Sequence, residues 1–312
     1  MTIGRISVDI YGQEEGCGLE DPQSFMKAVG GSPTNVAIGS ARYGNRSAVI
    51  TAVGNDSMGR YALAELDKFK VARDFVTVTS GRTPVVIAGL KDPDDPEIIF
   101  YRETDAPDTQ IEVTPALERA VAECRIFWYT GSTLSHPKLR SRTLELLSAR
   151  PMSEGRENIF DLDYRPSFWN NEEKDAHREI SSALKFATIV LGNRKECAVA
   201  TGLPETSDSL EFAQAILDSG ARLAIIKDGS RGVLVAEKSG STLVEGIRVK
   251  TRCGLGAGDA FGAGIVHGVL KNWSSRETVK FANAAGAYVA RELMCSDAMP
   301  NELQVRELLA GQ

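Results

Sequence analysis

The chain has 312 residues, 42% apolar and 25% charged, with a formal charge of -6 at pH 7 and a pI near 5.3. That length and apolar share suffice to bury a large core and exclude disorder as the default state, while the acidic balance argues against a nucleic-acid surface and leaves room for a local pocket that binds small anions. Cysteines at Cys17, Cys124, Cys197, Cys253 and Cys295 show no short paired spacing and histidines are few, so neither a zinc site nor a disulfide scaffold is expected and a reducing cytoplasm is the simplest home.

No cleavable leader pattern opens the chain and no run of 18 apolar residues occurs, so no membrane partner is expected. Residues 1–10 read as a first strand with Asp9 at its end. A strand with so little run-up suggests a start a few residues further upstream. From Gly30 the segment Gly-Gly-Ser-Pro-Thr-Asn-Val-Ala reads as a turn feeding a helix, 47–53 as a strand, and 58–69 as a helix with Tyr61, Leu63, Leu66 and Phe69 on its apolar side. Residues 83–90 and 97–102 are strand-like runs separated by the polar turn 91–96, an antiparallel hairpin that interrupts the α/β alternation. With the segment near 10–28 it makes a candidate lid sheet that excludes water from a phosphoryl donor. After Thr114 strand candidates at 125–129, 158–162, 188–191 and 223–227 alternate with helix-like stretches. This pattern implies a mostly parallel sheet with helices on both faces and ligands beyond the carboxyl ends of the strands.

The most informative run is Leu255-Gly256-Ala257-Gly258-Asp259-Ala260-Phe261-Gly262-Ala263-Gly264. The main-chain N–H groups of Gly256, Ala257 and Gly258 at a helix start form a candidate anion hole, and Asp259 beside them a candidate base. That arrangement suits phosphoryl transfer, in which a carboxylate accepts the hydroxyl proton and convergent donors neutralise the phosphoryl oxygens. The alternative is a tight turn with close helix packing. No Gly-Lys-Ser or Gly-Lys-Thr follows, which excludes a Walker loop, and the position in the chain does not fit a dinucleotide fingerprint. Cys253 beside this loop reads as a small packing residue, with no histidine near it in sequence.

Other polar residues stand at predicted strand ends and turns, each with a structural alternative. Asp9 is a candidate contact to sugar hydroxyls or a cap. Gly30 and Gly31 admit close approach of a ligand, and Asn35 offers both donor and acceptor or satisfies a turn. Arg102 and Arg165 are forked donors suited to a carboxylate or phosphate, or solvated surface groups. Asn193 and Glu196, three residues apart at a helix start, could touch phosphate and hold water around Mg²⁺, or form only a capping box. Lys227, Gly229 and Gly232 belong to a turn that reads as a hairpin and could approach nucleotide phosphates. Asn283 lies on an alanine-rich helix that could line a nucleotide cleft or simply pack.

Taken together, the segment from Gly30 to Ala37 and the segment from Gly256 to Phe261 resemble the two signatures of the ribokinase-like sugar kinases, the pfkB family, in the expected order. The resemblance covers essentially the whole chain. It implies a three-layer α/β sandwich, with a mostly parallel central sheet and a small β-sheet lid, as one kinase domain over 1–312 with the lid near 10–28 and 83–102. It also implies ATP and Mg²⁺ as cofactors. Asp259 would be the base and Gly256, Ala257 and Gly258 the anion hole, with Asp9, Gly30, Gly31 and Asn35 toward the sugar. Asn193, Glu196, Lys227, Gly229, Gly232 and Asn283 would lie toward the nucleotide, Glu196 meeting the metal through water. The family's usual Asp-Thr before the second signature is Cys253-Gly254 here, which weakens the expectation of a monovalent-cation site. Within the family, the stretches 4–9, 100–103 and 161–166 with Trp169 are similar to those of kinases acting on keto-deoxy sugar acids, whose carboxylate Arg102 and Arg165 would bind. The implied reaction is ATP-dependent phosphorylation of the terminal hydroxyl of 5-dehydro-2-deoxygluconate, ahead of 2-keto-3-deoxygluconate or a neutral sugar. A homodimer through the lid is a further expectation.

Overall fold

The structure is a computed structural model that describes residues 1–151 and 153–311. Its contacts cluster in two compact units. One comprises Thr2–Ile111, Ile247–Trp273 and Phe281 onward, and the other Met1, Glu112–Gly246 and Ser274–Lys280.

In the first unit the chain runs β1 (Thr2–Ile3), β2 (Ser7–Glu15), β3 (Phe25–Gly30), α1 (Ser32–Arg42), β4 (Ser47–Gly54), α2 (Ser57–Lys68), β5 (Val71–Ala72), β6 (Val76–Thr79), β7 (Val85–Leu90) and β8 (Ile98–Tyr101). Strands β1, β5 and β6 all pair with β4 in parallel. The separate four-stranded sheet has the order β3-β2-β7-β8, and β7 and β8 form the expected antiparallel hairpin. The single opening strand read from the sequence is in fact two. The chain leaves β1 at Gly4 and re-enters a different sheet at Ser7, so Asp9 sits inside β2 and pairs with Ala28 and Val86 rather than ending a core strand. The physical reason is a tertiary contact. Ile6 donates its N–H to Asp108 Oδ2 at 3.2 Å, a partner 102 residues away that no periodicity announces.

The second unit contains α3 (Pro115–Glu123), β9 (Ile126–Thr130), α4 (Pro137–Ala149), β10 (Glu157–Asp161), α5 (Glu173–Ala183), β11 (Ile189–Asn193), α6 (Arg194–Thr201), α7 (Ser209–Asp218), β12 (Leu223–Lys227), β13 (Val233–Glu237) and β14 (Gly240–Val244). Strands β9 to β12 are parallel neighbours, whereas β13 and β14 add antiparallel at one edge. All five residues of β9 are buried, as expected of a parallel strand covered on both faces. Tyr129 stacks on Phe160 with ring centroids 4.4 Å apart.

The chain then returns to the first unit with α8 (Ala257–Leu270), continues into α9 (Ser275–Ala290), and ends with α10 (Cys295–Ala298) and α11 (Glu302–Ala310). Helices α1 and α8 meet on small residues: a Cβ added at Gly39 would stand 2.6 Å from the Ala263 methyl. Ala37, Ile38, Ala260, Ala263, Ala284 and Ala285 belong to the same buried cluster. Among the described residues no helix is long and apolar enough to cross a membrane.

Candidate active site

Close helix packing builds the polar cluster of the first unit. Asn35 and Asp259 lie one helical turn before Gly39 and Ala263 respectively, so the approach permitted by those small residues brings the two polar side chains together on facing sides. Asn35 donates from Nδ2 to Asp259 Oδ2 at 2.8 Å, joining residues 224 apart in sequence. The Asn35 Oδ1 atom is buried and has no hydrogen-bond partner, so it is an acceptor held ready for a donor.

Asp259 stands in the first turn of α8. The helix begins after Gly256, whose φ of 86° is in the left-handed region, and no side chain caps it. First-turn N–H groups have no partner within a helix, and a Cβ at Gly258 would meet nothing within 4 Å, so the space in front of it is open. The Ala257 N–H makes a long turn bond of 3.3 Å to the Gly254 carbonyl. It therefore begins partly engaged, unlike a simple three-donor hole.

Asp9 is buried on β2. It accepts from Ser7 Oγ at 2.6 Å and from Tyr11 OH at 3.5 Å. Ser7, Asp9 and Tyr11 are spaced by two, so all three project from one face of the strand. Burial pushes the Asp9 carboxyl up to about 6; the Asp259 charge adds to the rise, while the Ser7 bond, Arg5 and the Tyr11 bond oppose it. Gly30 is required by space, because a Cβ there would collide with the Asp9 carboxylate. Gly31 precedes α1 at φ 98°, with the Arg5 carbonyl 2.5 Å from where its Cβ would be. Arg102 follows β8 and donates from Nη1 to the fully buried Asp108 at 2.7 Å. Asn283 lies half-buried on α9.

The remaining expected residues belong to the second unit. There the parallel strands end on polar residues in register: Asp161 is opposite Thr130, and Asn193 opposite Lys227. Asn193 and Glu196 form a reciprocal capping box at the start of α6. The Glu196 N–H donates to Asn193 Oδ1 at 2.9 Å and the Asn193 N–H to Glu196 Oε2 at 2.7 Å. Lys227 Nζ lies 3.8 Å from Glu196 Oε2. Burial opposes the Lys227 charge, but Glu196 and Asp161 outweigh it and hold the ammonium pKa above its ordinary value, so the side chain is a permanent cation at physiological pH. Arg165 donates from Nε to Asp163 Oδ1 at 3.1 Å. Asp163 is itself anchored by Ser132 Oγ at 2.6 Å, at a φ of 27°. Gly229 and Gly232 flank the short turn between β12 and β13. Gly232 is needed there because a Cβ would run into the Val244 carbonyl, whereas a Cβ at Gly229 would meet nothing within 4 Å.

Sequence reasoning missed Ser7, Tyr11, Asp108, Asp163 and Cys295. The alternation Ser7-x-Asp9-x-Tyr11 was a usable signal, as was Asp163-x-Arg165. Nothing local marks Asp108 or Cys295, which reach the site only through tertiary contacts. Among the described residues no group of three or more His, Cys, Asp or Glu side chains is placed to hold a metal ion. Mg²⁺ usually takes one or two carboxylates together with substrate phosphates and waters, a donor set that Glu196 at the start of α6 fits.

The chain is 31% identical over 317 residues to 5-dehydro-2-deoxygluconokinase of Geobacillus kaustophilus, an alignment covering 99% of this chain and 92% of that relative. The crystal structure of a putative ribokinase II from E. coli superposes with a TM-score of 0.88 at 20% identity, covering 100% of this chain and 98% of the other, which shows the shared ribokinase-like α/β fold with its small β-sheet lid. A fructokinase double mutant from Vibrio cholerae O395, solved with fructose, ADP and potassium ion, gives a TM-score of 0.81 at 26% identity over 99% of this chain and 96% of that one. Residues 1–302 match the pfkB family of carbohydrate kinases, and the chain belongs to that family as a phosphotransferase.

Proposed function

We propose that the protein transfers the γ-phosphoryl group of ATP to the terminal primary hydroxyl of 5-dehydro-2-deoxygluconate, giving 6-phospho-5-dehydro-2-deoxygluconate and ADP. The observation that carries the chemistry is the Asn35–Asp259 hydrogen bond at the start of α8. It holds the carboxylate at the uncapped helix start, in place to orient and deprotonate a hydroxyl beside first-turn N–H donors. The acceptor assignment is supported by the whole-length likeness to 5-dehydro-2-deoxygluconokinases from several bacteria.

Asp9, Gly30, Gly31 and Asn35 serve the sugar, and Arg102 and Arg165 its carboxylate. Gly256, Ala257 and Gly258 serve the transferring phosphoryl group. Lys227, Asn193, Gly229, Gly232 and Asn283 serve the nucleotide, with Glu196 meeting Mg²⁺ through water. The metal supplies charge neutralisation on the phosphates when bound. The protein's own part is to hold the hydroxyl, accept its proton at Asp259 and present a cation at Lys227.

We propose in addition a homodimer through the outer face of the small sheet. Strand register puts Ile10, Ile87 and Ile99 in one row, with Val85 and Tyr101 beside them, opposite the face that carries Asp9 and Tyr11. Ile99 and Tyr101 are exposed, and apolar patches of this kind mark association surfaces. Sedimentation at micromolar concentration tests it, and a purely monomeric species removes it.

ADP release across a matched panel tests the main reading: 5-dehydro-2-deoxygluconate, 2-keto-3-deoxygluconate, fructose, ribose and adenosine. Highest kcat/KM for the first supports it. Preference for the second keeps the chemistry and changes the acceptor, and preference for fructose, favoured by the likeness to the Vibrio fructokinase, removes the carboxylate roles of both arginines.

A further inference from the structure

Tyr11 is fully buried in a cluster with Ala28, Ala88, Leu90, Cys253 and Cys295, against which Leu255, Leu293 and Met294 also pack. Phenylalanine would fill that space equally well. A hydroxyl there is costly unless each of its hydrogen-bonding positions is used. They are used. The Cys295 N–H donates to the Tyr11 oxygen at 3.3 Å, the Cys295 Sγ lies 2.9 Å from the same oxygen, and Asp9 Oδ2 lies 3.5 Å away.

A phenol has one hydrogen and two lone pairs. Burial, with the charges of Asp9 and Asp259 adding to it, keeps the Cys295 thiol protonated, and because an ionised Asp9 can only accept, the arrangement that satisfies all three groups has the Cys295 S–H donating to the phenol oxygen. With the backbone N–H as second donor, both lone pairs are occupied and the phenol hydrogen is left for the carboxylate. Cys295 also touches the helix start. A Cβ at Gly256 would be 2.7 Å from its sulfur, so the thiol backs the residue from which α8 and Asp259 begin. It is held there at the head of α10, immediately after Met294, whose φ of 73° is in the left-handed region.

We infer that Tyr11 and Cys295 are positioning residues for the transfer: the amide and thiol of Cys295 commit the Tyr11 proton to Asp9, and the same sulfur fixes Gly256, so that the sugar-side carboxylate and the anion loop keep one spacing. The inference rests on the proposed roles of Asp9 and Asp259. In-line transfer makes that spacing matter, because small misplacements of reacting groups cost large factors in rate.

The test uses the full chain, with ATP, Mg²⁺ and whichever acceptor of the panel is turned over fastest. Tyr11→Phe is expected to lower acceptor kcat/KM roughly ten- to hundredfold while leaving the KM for ATP in place. It is also expected to move the acid limb of the pH profile upward, because Asp9 loses a donor to its charged form. Cys295→Ala should reproduce the loss, Cys295→Ser should recover most of it, and the Tyr11→Phe/Cys295→Ala double variant should be no worse than either single one. If Tyr11→Phe is poorly folded, the Cys295→Ala and Cys295→Ser pair decides alone. Lower thermal stability with unchanged acceptor kcat/KM and an unmoved acid limb overturns the inference. Asp259→Asn, run in parallel, separates the two levels: full turnover in that variant defeats the proposed chemistry, whereas its loss alongside a neutral Tyr11→Phe defeats the bridge alone.

Discussion

Glu196 and Asp259 occupy the same position, the third residue of a helix, in α6 and α8 respectively, and are used in opposite ways. Glu196 folds back on its own N-cap, and its carboxylate accepts the Asn193 N–H while Asn193 accepts from Glu196. Asp259 follows a glycine that offers no capping side chain, and it accepts instead from Asn35 of α1, 224 residues earlier. A carboxylate engaged with its own helix end is a structural fixture with one oxygen in reserve. One placed beside an uncapped helix start and steadied from outside keeps its negative charge next to partly positive N–H groups, where it can accept a proton from a group bound to them. The difference comes from one residue, asparagine against glycine at the N-cap.

The largest effect should come from Asp259→Asn, which preserves shape and removes the base. Turnover is expected to fall by roughly a hundredfold or more with nucleotide binding spared, and steady-state kinetics with a nucleotide-binding titration would show it. Turnover within the wild-type range would mean that Asp259 is not the base.

Arg102→Ala has two expected consequences. It raises KM for keto-acid acceptors more than for neutral sugars, and it takes the cation from the buried Asp108, leaving that carboxylate the Ile6 N–H on one oxygen and no partner on the other. Loss of one member of such a pair costs about 3–5 kcal/mol, so the melting temperature should fall as well. Equal KM effects on both acceptor classes would limit Arg102 to the Asp108 pairing.

Asp9 gives an effect of opposite sign on stability. Its folded pKa, raised to about 6, lies above its unfolded value, so between those two values the folded state holds more protons than the unfolded one. Stability therefore falls as pH rises through about 6. Asp9→Asn should accordingly raise the melting temperature at neutral pH by a few degrees, of order 1–2 kcal/mol, while impairing acceptor use. Wild-type kcat/KM should fall on the acid side with a midpoint near 6, and a flat profile through that range would remove the ionised Asp9 from the reaction.

Asn193→Ala should be the mildest, costing about 1 kcal/mol of stability through loss of the cap, read as a small drop in the denaturant midpoint. A large loss of ATP affinity in that variant would show that the capping box and the nucleotide share Asn193.

What could be read directly from the chain was whatever depends on neighbours in sequence. The hairpin of β7 and β8, the alternation from β9 to β12 and the glycine-led start of α8 follow from period, turn chemistry and capping, which act over a few residues. The capping box was legible for the same reason, since three residues span one helical turn. The break between β1 and β2 was not, because it depends on Asp108, and neither was the engagement of Arg102 with that residue. Packing alone decided that Asn35 meets Asp259, through the contact of Gly39 with Ala263, and that Cys295, 284 residues from Tyr11, completes the hydrogen bonding of a buried phenol. The sequence by itself determined which groups carry charge and which turns admit a ligand. Only the tertiary structure decided which of those groups are buried together, because burial and long-range contact, unlike backbone period, are properties of the packed chain.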